Sequence, residues 1–205
     1  MNRAIASRTA AALIASVAWT GLIVQFVLSY AQNSSTLLTL WIIGAYFTIL
    51  TNLLVAVVFT GVAFGWHGFH DGWLLAGTML AIALVGVVYT LLLRGALEDA
   101  GGSLLVDRLL HDATPVLVTL YWIVFARKGT LCWQHPLIWS IYPIAYLAYA
   151  IARGVTTGKY AYPFLDVSVI GWARMASNAT AIAAVFLAVA YAVVWIDRRI
   201  ASPRA

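Results

Sequence analysis

Long apolar runs broken by short polar stretches set the pattern of this chain. Six of them, roughly Thr9 to Ala31, Leu37 to Gly65, Trp73 to Leu93, Leu104 to Ala126, Pro136 to Ala152 and Val169 to Ile196, are of the length needed to cross about 30 Å of hydrocarbon as helices. The pattern predicts an all-α integral membrane protein: a single domain, residues 1–205, built as a six-transmembrane-helix bundle with short loops. No internal repeat at a fixed period is evident. The second run, read as one helix, is long enough that it must tilt or project beyond the hydrocarbon.

Composition excludes the soluble alternative. With 63% hydrophobic and only 9% charged residues, and a mean hydropathy of +0.93, there is too little polar surface to clothe a water-soluble core. Basic residues cluster at the amino terminus (Arg3, Arg8), the fourth connection (Arg127, Lys128) and the tail (Arg198, Arg199, Arg204). The opposite side holds Arg94, Arg153 and Lys159, so the positive-inside rule predicts that both termini are cytoplasmic. The net charge of +5 is thus mainly a topology signal with a modest attraction to anionic headgroups, and no basic block marks a nucleic-acid site. The first run, preceded by Arg3 and Arg8, is too long for a signal-peptide core and reads as a membrane helix. A lone cysteine, Cys132, excludes an internal disulfide and a multi-thiolate metal site.

Against this background, ionisable residues inside the fourth run stand out, because charge in a bilayer is costly and marks function by default. His111 and Asp112 lie one turn before Pro115. Proline has no N–H, so the carbonyl of His111 is expected to lose its helical partner and the helix to kink. Asp107, four residues before His111, shares its face and is placed to fix the imidazole tautomer. Arg108 and Asp112 have the same spacing and are expected to neutralise each other. Thr48 stands 18 residues before Trp66, and His111 stands 16 before Arg127. At helical rise this puts both at similar depth, roughly 27 and 24 Å from one membrane face. A threonine hydroxyl becomes a nucleophile when a base accepts its proton, but Thr39, Thr51, Thr78, Thr90 and Thr114 are in or near the membrane too. Thr51 and Asn52, one turn beyond Thr48, are alternative donors to a developing oxyanion.

Other polar residues have plainer readings. His67, His70 and Asp71 are spaced for headgroup contacts rather than for zinc. The connection carrying Glu98, Asp99 and Gly101-Gly102 and the one carrying Tyr160, Tyr162, Pro163, Phe164 and Asp166 are the longest on their side. The aromatic residues there are interface anchors or a lid. Arg174, sharing a face with Asn178, is an anchor at a helix end, a partner for Asp166 or a clamp for a ligand carboxylate.

Taken in order, three segments resemble signatures of a known family: Tyr46-Phe47-Thr48-Ile49-Leu50-Thr51-Asn52, His111-Asp112-Ala113-Thr114-Pro115 and Tyr162-Pro163-Phe164-Leu165-Asp166. They look like those of the androgen-induced gene 1 / FAR-17a family and its bacterial Pr6Pr branch, and the likeness extends over nearly the whole chain. Animal members are six-helix threonine hydrolases that cleave fatty acid esters of hydroxy fatty acids with an intramembrane threonine and histidine. By motif, the resemblance implies that Thr48 and His111 are the catalytic pair. Animal members carry a second histidine where this chain has Asp107, and the proline here sits one residue closer to His111.

The expectation is therefore an intramembrane lipid-ester hydrolase acting on membrane lipids, with no cofactor or metal required and no protein partner or nucleic acid evident. If the bacterial resemblance holds, its location is the inner membrane. Two other classes stay open on the residues alone. One is a transporter or proton-linked carrier using Asp107, His111, Asp112 and Arg108 as a polar path; the other is a non-catalytic membrane scaffold.

Overall fold

Helix α1 (Arg3–Asn33) begins where the Asn2 side chain accepts the Ala4 N–H at 3.1 Å, and stops at Ser34 in a left-handed turn. The computed structural model describes residues 2–94 and 103–201; Glu98, Asp99, Gly101, Gly102 and Arg204 lie outside these. Among the described residues the secondary structure is entirely helical. Four helices, Arg3–Asn33, Phe47–Phe64, Gly72–Leu93 and Val167–Arg199, are long and apolar enough to cross a membrane. Their outward faces carry Leu13, Ile23, Val57, Leu91 and Val189, all exposed. Exposed apolar side chains in such number suit a lipid-facing surface rather than a water-facing one. The helices gather into two compact units, Met1–Arg127 and Lys128–Ala205.

The run expected as one long second helix is two. Ser35 caps the short α2 (Thr36–Ile43), accepting from the Leu38 N–H, and the chain then leaves the helix at Gly44. A β-carbon on Gly44 would lie 2.8 Å from the Leu40 carbonyl oxygen, so only glycine closes this turn. The Ala45 and Tyr46 N–H groups fold back to Ile42 and Ile43 (both 3.2 Å), and Tyr46, in extended conformation, starts α3 (Phe47–Phe64). Excess length is thus absorbed by a break rather than by tilt. Its consequence is that Thr48 sits in the first turn of a helix instead of mid-helix.

In the first unit, α1 and α3 pack through small residues, with Ala11, Ala15, Ala18, Val55, Ala56 and Val62 all buried. Small side chains let apolar helices approach closely where hydrophobic driving force is weak. Basic side chains of α1 close the ends of its neighbours. The Arg8 guanidinium donates to the Ala63 and Phe64 carbonyls (3.1 and 2.7 Å) and that of Arg3 donates to Val124 (3.0 Å). Cations at helix C-termini satisfy the orphan carbonyls and the dipole together.

Helix α4 (Gly72–Leu93) turns π-helical over Tyr89–Leu93. Helix α5 spans residues 104–125 and is π-helical over Arg108–Ala113, before Thr114–Phe125 resumes the α-helix. Contacts of α1 with α5 run antiparallel: Arg3 meets Val124, Ser7 meets Tyr121 at 2.8 Å, and Gly21 faces Leu110. Gly86 of α4 is the floor on which Pro115 rests, since a β-carbon there would stand 3.0 Å from the proline Cβ. Gly86→Val adds a branched side chain against a ring that cannot rotate away. It is expected to cost about 1–3 kcal/mol through overpacking, read as earlier thermal unfolding in detergent by the nine tryptophans.

In the second unit, α6 (His135–Thr157) carries Pro143 internally and ends at Gly158, and α7 (Val167–Arg199) is interrupted at Gly171 (φ 74°). Asp197 is fully buried near the end of α7 and accepts the N–H of Leu131, itself buried, at 3.0 Å. Asp197→Ala strands that N–H and is expected to cost about 1–3 kcal/mol, whereas Asp197→Asn keeps an acceptor. Hydrogen exchange at Leu131 should rise in the alanine variant and stay near wild type in the asparagine variant.

Candidate active site

The break before α3 and the π turn of α5 bring Thr48 and His111 together. Thr48 Oγ1 lies 3.2 Å from His111 Nε2. The other ring nitrogen, Nδ1, faces Asp107 Oδ1 at 3.5 Å. At that distance the two do not hydrogen-bond, and Nδ1 is buried without a hydrogen-bond partner; in the tautomer protonated on Nδ1, Nε2 is the acceptor towards the threonine hydroxyl. The three side chains are largely shielded: Thr48 is 8% exposed, and the side chains of His111 and Asp107 are 11% and 15% exposed. Threonine, histidine and aspartate are thereby arranged hydroxyl to imidazole to carboxylate, the order in which an activated nucleophile is built.

The imidazole is held from a third side. Tyr89, buried in the π turn of α4, stacks on His111 with centroids 4.1 Å apart and planes within 13°. The guanidinium of Arg94 stands over the Tyr89 ring at 5.2 Å. Neither contact is legible in the sequence pattern, because the stack depends on the antiparallel register of α4 and α5 and the Arg94 contact on the π-helical turn at the end of α4. The only hint is that Tyr89 and Arg94 lie near the end of an apolar run.

Asp112 has a separate role. Its two oxygens take Arg94 at 2.6 Å and Arg108 at 2.8 Å, so the expected Arg108 pair forms and a second arginine joins it. Through Arg94, which also lies over the Tyr89 ring, this cluster adjoins the His111 stack.

The expected kink takes a different form. The Thr114 N–H donates to the Leu109 carbonyl, five residues back, and the Thr114 hydroxyl donates to the same oxygen at 2.7 Å. In that register the carbonyl that meets the missing proline N–H is that of Leu110, not of His111. Asn52 supplies the replacement: its Nδ2 donates to the Leu110 carbonyl at 3.2 Å and to the Thr48 carbonyl at 2.9 Å. Both amide protons are then engaged with backbone carbonyls. Thr51 is fully buried one turn into α3.

Asp166 and Arg174 belong to the second unit. Asp166 caps α7, accepting the Ser168 N–H at 3.0 Å, and Arg174 is exposed. Among the described residues no ion pair joins them, against the pairing considered from sequence, because the carboxylate serves as a helix cap. Asn178, one turn beyond Arg174, donates to the Phe164 carbonyl at 3.1 Å and holds the Pro163–Leu165 turn, where Tyr162 and Phe164 stack at 5.1 Å. Among the described residues no group of three or more His, Cys, Asp or Glu is placed to hold a metal ion.

Fold and site together define an all-helical protein with membrane character and a shielded Thr-His-Asp constellation. No family model, curated protein or solved structure matches the chain.

Proposed function

We propose that this protein is an intramembrane threonine hydrolase that cleaves lipid esters, of the kind found in fatty acid esters of hydroxy fatty acids. The observation that carries the reading is the 3.2 Å approach of Thr48 Oγ1 to His111 Nε2, with Asp107 behind the ring. In this reading Thr48 Oγ1 attacks the ester carbonyl carbon while Nε2 takes its proton, and Asp107 stabilises the imidazolium. Collapse of the tetrahedral species expels the alcohol, which receives the proton from His111. A water molecule, deprotonated by the same nitrogen, then cleaves the acyl-threonine, releasing the fatty acid and restoring the hydroxyl.

Negative charge develops beside the first turn of α3, where Tyr46 provides no side-chain cap. The positive end of that helix dipole is a suitable electrostatic partner for an oxyanion. The π turns in α4 and α5 support the reading, since such interruptions cost backbone regularity and cluster at functional sites. We further take α5 and α6 as two more spans beside the four apolar ones, giving six, with both termini cytoplasmic from the distribution of basic residues. The resemblance to the bacterial Pr6Pr branch implies the inner membrane. A buried site suits long-chain substrates arriving laterally from the lipid.

The test is hydrolysis of a fluorogenic long-chain ester by purified protein in mixed micelles, comparing wild type with Thr48→Val. A threonine hydrolase loses turnover in the isosteric variant. A carrier built on the Asp107, His111, Asp112 and Arg108 cluster shows no turnover in either and tolerates the change in a flux assay.

A further inference from the structure

We infer that Asn52 is a positioning residue that latches the first turn of α3 to the π turn of α5 and thereby sets the separation of Thr48 and His111. Its functional meaning rests on the Thr48/His111 reading, but the latch is a physical claim of its own. The Leu110 carbonyl cannot be paired within α5. The Thr114 N–H that would serve it in α-helical register is given to Leu109, and residue 115, which would serve it in π register, is a proline. Leu110 is 1% exposed and Asn52 is 0% exposed, so bulk solvent does not reach this carbonyl. In such surroundings a carbonyl left alone is strongly unfavourable, and a side-chain amide from a neighbouring helix is the available remedy.

The bridge is short and specific. One nitrogen joins the carbonyl of Thr48 itself to the carbonyl of the residue preceding His111, at 2.9 and 3.2 Å. The reacting side chains therefore stand on the two backbone units that the amide ties together. The amide orientation is dictated by the same contacts, because the flipped form would set Oδ1 against two carbonyl oxygens. In the present form Oδ1 is buried without a hydrogen-bond partner, so the two donor contacts alone hold the side chain. The π turn cannot retreat to the far side, where Gly21 of α1 lies against Leu110 so closely that a β-carbon would collide with its Cδ2.

A double-mutant cycle with Pro115 tests this without relying on catalysis. Pro115→Ala restores a backbone N–H able to serve the orphaned carbonyl, so the latch becomes partly redundant. Protein labelled with ¹⁵N-histidine reports the His111 ring, identified among four histidines by the signal lost in His111→Gln. Asn52→Leu is expected to shift the Nε2 resonance in the direction given by Thr48→Val and to lower the unfolding midpoint by about 5 °C. In the Pro115→Ala background both effects should shrink by about half or more. Asn52→Asp, which keeps the shape and leaves at most one O–H donor for the two carbonyls, should move the ring signal in the same direction and serves if the leucine variant does not fold. A His111 resonance unchanged by Asn52→Leu or Asn52→Asp, or effects of equal size in both proline backgrounds, would overturn the latch. Failure of wild type to hydrolyse any ester would instead remove the hydrolase reading and leave the ring signal as the judge of Asn52.

Discussion

Thr48→Ala is expected to lower kcat/KM for ester hydrolysis by at least about 10³-fold, since removing a nucleophile removes the covalent path altogether. The fold should survive. Thr48 contributes only a small side chain in the first turn of α3, and the latch to Leu110 runs from Asn52 through the Thr48 backbone carbonyl, which alanine retains. Thr48→Ser keeps the hydroxyl and should retain part of the activity, reduced because serine lacks the methyl that restricts rotation about χ1. Initial rates with one long-chain ester, normalised to protein with wild-type helicity, separate these outcomes. Activity of the alanine variant within tenfold of wild type would show that another group attacks.

The second large effect is expected at His111. His111→Ala should cost about 10²–10⁴-fold in kcat, the range for loss of a general base, with a weaker effect on KM. Stacking on Tyr89 makes the ring part of the packing as well, so His111→Gln, which keeps bulk and polarity, is the cleaner comparison. Asp107→Asn should give a smaller loss than removal of the nucleophile or the base, because it weakens the hold on the tautomer without removing the base. The ranking matters more than any single value: Thr48 and His111 together at the bottom, Asp107 above them. Equal tolerance of His111→Gln and Asp107→Asn would mean that the imidazole takes no proton.

How far the sequence foresaw this site depends on the kind of contact. The Arg108–Asp112 pair follows from four-residue spacing on one helix and forms at 2.8 Å, while the same spacing brings Asp107 Oδ1 to 3.5 Å from the His111 ring without a hydrogen bond. The meeting of Thr48 with His111 was legible as a match of depth, and the resemblance singled it out from five other threonines. What could not be read were features that depend on register between helices: the Tyr89 stack, the second arginine on Asp112, and Asn52 at the Leu110 carbonyl. The break at Gly44 was hidden because hydropathy stays high through it, and a glycine within an apolar run is tolerated in membrane helices. The vacancy opened by Pro115 was foreseen one residue too late, because a π turn changes which carbonyl a proline leaves unserved.

The most direct test of an activated Thr48 is covalent capture. Purified wild-type protein would be treated with an alkyl fluorophosphonate and digested, and the modified residue located by mass spectrometry beside Thr48→Ala and His111→Ala. The account predicts a phosphonylated peptide carrying the adduct on Thr48 in wild type, absent from both variants while their unfolding midpoints remain close to wild type. An adduct at another residue that persists in Thr48→Ala, or folded wild-type protein that forms none, would contradict it.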